Sequence, residues 1–145
     1  MFAEGEVFYR GMKQVDFEIL RTTGKLPGTS ETFTSPTLEY IKAVGYGSGN
    51  GEVIVKFQMT RGTLAELKKI GIKNDVSPKI TSYYPDMPRI SPTDNWTMNN
   101  ALFKTEGQKY VDLGTLKEVQ VNIGLGTGKA LDIFNERIFN FQIVQ

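Results

Sequence analysis

The chain has 145 residues, a formal charge of +1, and neither cysteine nor histidine. That length suits one domain spanning residues 1–145, and the balanced charge leaves no footprint for duplex nucleic acid or an anionic membrane. The two absent residue types exclude disulfides, thiol nucleophiles, Ser-His-Asp triads and histidine-based zinc sites, so any chemistry rests on Glu, Asp, Arg, Lys, Tyr, Ser or Thr.

Apolar residues make up 39 % of the chain, enough for a packed core. The apolar runs are too short for a membrane-spanning helix, and the acidic start MFAEGEVFYR lacks the apolar stretch of a signal peptide. Val7-Phe8-Tyr9-Arg10 predicts a short strand ended by Gly11. Val15, Ile19 and Leu20 recur at helical spacing, with Phe17 beside them and Asp16 and Glu18 in the first turn. Gly24 stops that helix and Pro27-Gly28 turns the chain. Residues Glu31 to Ser35 read as a strand, and Pro36 opens a helix with Leu38, Ile41 and Val44 on its apolar face. After the flexible GYGSGNG, residues Glu52 to Met59 alternate as a strand, with Val53, Val55 and Phe57 on one side.

Thr63 with Glu66 matches a capping box for a helix from Leu64 to Ile70, ended by Gly71. Residues 74–100 carry four of the six prolines and read as a long irregular loop. Leu102 and Phe103 begin a further ordered segment. Lys117 to Ile123 alternates as a strand, GLGTG turns the chain into a helix from Lys129 to Asn135, and Ile138 to Val144 closes as a strand. Strands and short helices are mixed without strict alternation, which gives an α+β class.

Several motifs carry potential chemistry. GLGTGK resembles a phosphate loop, but Ile123 stands where its first glycine belongs and Ala130 follows the lysine, so a glycine-rich turn before a helix fits better. Arg10 at a strand end could present its planar fork to a diphosphate or carboxylate. Thr34 and Ser35 could support a cleft or serve as turn and cap residues. Glu118 shares a strand face with Gln120, and alternation alone does not say whether that face is buried. Tyr83, Tyr84 and Trp96 could stack on a base or pin the long loop to the body. The aspartates have no metal-loop spacing, and no metal is expected.

In order, these motifs resemble the mono-ADP-ribosyltransferases of the Arg-Ser-Glu class. Val7-Phe8-Tyr9-Arg10-Gly11 is similar to that family's arginine strand. Thr32-Phe33-Thr34-Ser35, followed by Tyr40 and the Tyr46-Gly47 turn, is similar to its Ser-Thr-Ser strand and following helix. Lys117-Glu118-Val119-Gln120-Val121 is similar to the strand of its catalytic glutamate. The size also suits a C-terminal domain of a bacterial polymorphic toxin.

The resemblance implies two small, mainly antiparallel sheets around an NAD cleft, with short helices at the side. It implies NAD as substrate, Arg10 on its phosphate or neighbouring ribose, Thr34, Ser35 and Tyr46 at the cofactor cleft, and Glu118 as the catalytic residue on the ribose 2′-hydroxyl. It also implies a protein or RNA acceptor in the cytoplasm of a target cell, a secreted or injected route and a cognate immunity protein. Leu116 stands where members that modify arginine or glutamine side chains carry Glu or Gln two positions before the catalytic Glu, and Gln120 gives Glu-x-Gln. Leu116 speaks against transfer to a protein side chain and leaves room for another acceptor, such as RNA, or plain NAD hydrolysis. Two other readings are a histidine-free ribonuclease using Arg10, Tyr83, Lys109 and Glu118, and a binding module docking through residues 74–100.

Overall fold

A computed structural model describes residues 5–36, 49–74, 80–106 and 120–144. The helix expected after Pro36, Tyr40, Tyr46, Lys109, Leu116 and Glu118 lie outside them. In chain order the elements are β1 (Glu6–Lys13), α1 (Gln14–Thr23), β2 (Phe33–Thr34), β3 (Glu52–Met59), α2 (Thr63–Lys69), β4 (Gly71–Lys73), α3 (Ile80–Tyr83), α4 (Trp96–Asn99), β5 (Ala101–Glu106), β6 (Gln120–Gly124), α5 (Lys129–Glu136) and β7 (Ile138–Ile143). They form an α+β fold of two small sheets with short helices.

The first sheet has the order β1-β3-β7 and is antiparallel throughout. The second has the order β2-β6-β5-β4, with β4 parallel to β5 and the other pairs antiparallel. Edge meets edge where Tyr9 of β1 bridges Ser35, just past β2. Tyr9 N–H donates to the Ser35 carbonyl at 2.7 Å, and Ser35 N–H returns the bond at 3.0 Å.

One apolar cluster joins the sheets through the helices. Phe8, Met12, Val55, Phe57 and Met59 enter it from the first sheet. Phe103 and Ile123 enter from the second, and Leu20, Leu67, Leu131 and Phe134 from helices. Phe134 of α5 sits edge-on to both Phe8 and Phe57, with ring centres 5.6 and 5.3 Å away, a favoured aromatic arrangement. Asn135 then fixes the loop after α1. Its amide donates to the Leu26 carbonyl and accepts the Leu26 N–H, at 3.0 and 2.8 Å.

The structure corrects several boundaries. Gly11 does not end β1, because it pairs with Ile54 in an unbroken register that runs to Lys13. In α1 the buried residue is Leu20, whereas Val15 and Ile19 are exposed; the helix presents a narrower stripe to the core than its apolar spacing suggested. Gly24 ends it in the left-handed conformation, as read.

Thr63 is no cap. Its hydroxyl donates to the Thr60 carbonyl, and Glu66 pairs with Lys69. The open N–H groups at the start of α2 instead meet Glu6 of β1, whose two carboxylate oxygens accept from Gly62 and Leu64, each at 2.8 Å. Gly71 begins β4 rather than merely closing α2. The segment read as an irregular loop contains two helical turns, α3 and α4. Among the described residues, no helix is long and apolar enough to cross a membrane.

Candidate functional site

Arg10 lies inside β1, not at its end, and strand alternation puts it on the same face as the buried Phe8 and Met12. That face brings the guanidinium to the loop before β2. One Nη donates to the Phe33 carbonyl at 2.7 Å and the other to the Thr29 hydroxyl at 3.1 Å. Around it opens a cavity of about 260 Å³ lined by Arg10, Gly11, Thr29, Ser30, Glu31, Thr32 and Phe33. A guanidinium beside three hydroxyl-bearing residues suits the oxygens of a phosphate or carboxylate. Glu31, exposed at the rim, opposes an anion and sets a limit on how far one can extend toward it.

Thr34 and Ser35 are fully buried. The Ser35 hydroxyl donates to the Val121 carbonyl at 2.8 Å, and the Thr34 hydroxyl makes a longer bond, 3.5 Å, to that of Ile123. Both bonds tie β2 to β6, the strand that begins two positions after Glu118. Arg10, Ser35 and the start of β6 are therefore brought to one junction of the two sheets. Tyr46 and Glu118 lie outside the described residues. In the second sheet, Lys104 Nζ sits 4.3 Å from the centre of the Phe33 ring, whose neighbour is Trp96.

The glycine-rich turn does not cradle an anion. The N–H groups of Leu125, Gly126 and Thr127 donate to the carbonyls of Thr32, Glu31 and Thr97. A Cβ at Gly126 or Gly128 would overlap the carbonyl oxygens of Thr97 and Met98 in α4. The segment is a turn before α5, as read, and its glycines also allow a close backbone approach to α4.

The loop aromatics divide. Tyr84 stands edge-on to Phe103 at 5.1 Å, and burial pushes its hydroxyl pKa up from 10.0, with Tyr83 a lesser cause. Trp96 covers Gly124 and Phe33. Both pin the segment to the body. Tyr83 is half-exposed and lines a separate cavity of about 290 Å³ with Lys68, Tyr84 and Met87; Arg10 does not line that cavity. No cluster of three or more acidic residues suited to a metal occurs among the described residues.

Sequence reasoning missed Thr29 and Phe33 as partners of the arginine, and Thr32 as lining its cavity. Thr32 has φ 51°, a left-handed conformation that costs a β-branched residue on the order of 1–3 kcal/mol. No sequence signal marks it, because threonine is a poor guide to that conformation.

Comparison with known proteins defines the class: a family model for a toxin domain matches residues 4–143, almost the whole chain. The family is described as the PT3 toxin domain, and the chain belongs to it. No curated protein matches the chain.

Proposed function

We propose that this toxin domain is a mono-ADP-ribosyltransferase that cleaves NAD and transfers ADP-ribose to a macromolecule of a target cell, where it acts in the cytoplasm as a secreted or injected effector. One observation carries the reading. Arg10, with its cavity, and the Ser35–Val121 hydrogen bond share the junction of β1, β2 and β6, and Glu118 precedes β6 by two positions. The arginine strand and the hydroxyl strand thus meet at the strand that follows Glu118 in sequence, which supports the reading.

In this reading Arg10 binds the NAD diphosphate, with the Thr29 and Ser30 hydroxyls beside it. Ser35 and Thr34 hold β2 on β6, and Tyr46 contributes to the cofactor cleft. Glu118 accepts a hydrogen bond from the ribose 2′-hydroxyl and stabilises positive charge developing on the ribose. The nicotinamide–ribose bond breaks with its electron pair leaving on nicotinamide. The acceptor then bonds to the ribose carbon and loses its proton. Nicotinamide is a good leaving group, so positioning and charge stabilisation can suffice without a histidine. A cognate immunity protein would mask this junction in the producing cell.

The deciding experiment measures nicotinamide release by the purified domain, with and without cell lysate, beside Glu118→Ala and Arg10→Ala variants of unchanged melting temperature. Release that needs lysate and both residues is the expected result. Release without lysate makes the domain an NAD glycohydrolase. No release under either condition removes the NAD reading and turns the search to RNA cleavage.

A further inference from the structure

Thr32 is buried, 1 % exposed, and held in the left-handed conformation. Its hydroxyl donates to the Gly126 carbonyl at 2.7 Å, with the Thr29 carbonyl at 3.2 Å, and accepts the Thr29 N–H at 3.0 Å. Its own carbonyl accepts the Leu125 N–H at 3.0 Å, and the adjacent Glu31 carbonyl accepts the Gly126 N–H at 2.8 Å. The loop is thereby fastened to the glycine-rich turn on both sides of the bend.

That bend sets what Arg10 can reach. Arg10 donates to the Thr29 hydroxyl and, at the start of β2, to the Phe33 carbonyl, which flank Thr32 in sequence. A fully extended chain would separate those two residues by about 13 Å. Folding the segment back at Thr32 lets both face one guanidinium.

We propose that Thr32 is a positioning residue. By locking the 29–33 loop to the Gly126 carbonyl, it fixes the orientation of the Arg10 guanidinium in its cavity and so its affinity for a diphosphate. The affinity clause rests on reading that cavity as the NAD diphosphate site. Gly126, at φ 63° against the Thr97 carbonyl, fixes the acceptor that Thr32 grips. The GLGTG segment thus acts on the anion site at one remove, although the N–H groups of Leu125, Gly126 and Thr127 are engaged elsewhere.

The test compares wild type with Thr32→Gly and Thr32→Ser. Glycine accepts the left-handed backbone without strain, which separates loss of the hydroxyl from failure to fold. Two readouts are taken below each variant's melting transition. The first is NMR of the Arg10 guanidinium, whose Nη–H resonances separate only while hydrogen bonds slow its rotation. The second is the affinity for ADP-ribose by calorimetry.

Separate resonances in wild type and Thr32→Ser, averaged ones in Thr32→Gly, and at least tenfold weaker ADP-ribose binding by Thr32→Gly are expected. Unchanged resonances in Thr32→Gly overturn the positioning role, as does a Thr32→Ser variant that behaves like Thr32→Gly. Wild type that binds no ADP-ribose defeats the diphosphate reading, and the resonances alone then decide whether Thr32 orients Arg10.

Discussion

Arg10 is both a brace and a candidate binding group, and the two roles have separable signatures. Lysine keeps the charge but offers no planar fork to reach the Phe33 carbonyl and the Thr29 hydroxyl together. With a charged hydrogen bond worth about 1.5–3 kcal/mol, Arg10→Lys is expected to weaken ADP-ribose binding roughly 10- to 100-fold, read by calorimetry. It should also lower the unfolding free energy by about 1–3 kcal/mol in urea titration.

Tyr84 gives a pH prediction. Burial raises its folded-state pKa above the ordinary value of 10.0, so its contribution to stability is fully present below that value and is lost as pH rises through the folded pKa. The melting temperature of Tyr84→Phe should fall less steeply than that of wild type above pH 10; parallel curves would show that Tyr84 is not a source of the alkaline loss. Arg10 stands out in the sequence because an arginine in an aromatic, β-branched run is unusual. Its partners do not, since backbone carbonyls and a left-handed threonine leave no trace in residue identity.

Among the elements, glycines separate conformational need from packing need. Gly24 has φ 75° but nothing within 4 Å of an added Cβ, so Gly24→Ala should cost about 1 kcal/mol. Gly126→Ala adds overlap with the α4 backbone to a positive φ and should cost more than twice that, or prevent folding. Comparable melting temperatures for the two variants would contradict the close packing of this turn against α4.

Glu6 carries the other test at this scale. Glu6→Ala removes both acceptors from the start of α2 and should cost about 1.5–3 kcal/mol, measured by urea unfolding. β3, α1, α5 and β7 were legible because their periodicity or terminal glycine is local. The capping of α2 was not, because its cap comes from β1, 56 positions away from Gly62. The two helical turns inside the proline-rich segment escaped for a related reason. Each is four residues long, too short to show a helical period, and is held by contacts such as Trp96 on Gly124.

For the molecule as a whole, the candidate site divides between two sheets: Arg10 stands on one, and Ser35 adjoins the other. A ligand that spans the junction should stabilise both together. ADP-ribose at about 100 times its dissociation constant should add roughly 2.7 kcal/mol, visible as a single, cooperative shift in the melting curve. Two transitions, only one of them shifted, would place the ligand on one sheet alone. The α+β class was readable from the mixture of periods, whereas the pairing order was not. Gly11 inside β1 and the parallel β4–β5 pair depend on partners far along the chain.

The strand order of the first sheet also bears on when the arginine strand gains its full support. β3 is flanked by β1, from near the beginning of the chain, and β7, from near its end. During synthesis the arginine strand can meet β3 early, but the sheet lacks its third strand until β7 has emerged. The pairs that complete it, such as Val55 with Ile143, are separated by more than half the sequence, the kind of topology that folds slowly. A nascent or truncated copy that lacks β7 therefore carries the arginine strand on an unfinished sheet, without the support of a third strand beside β3.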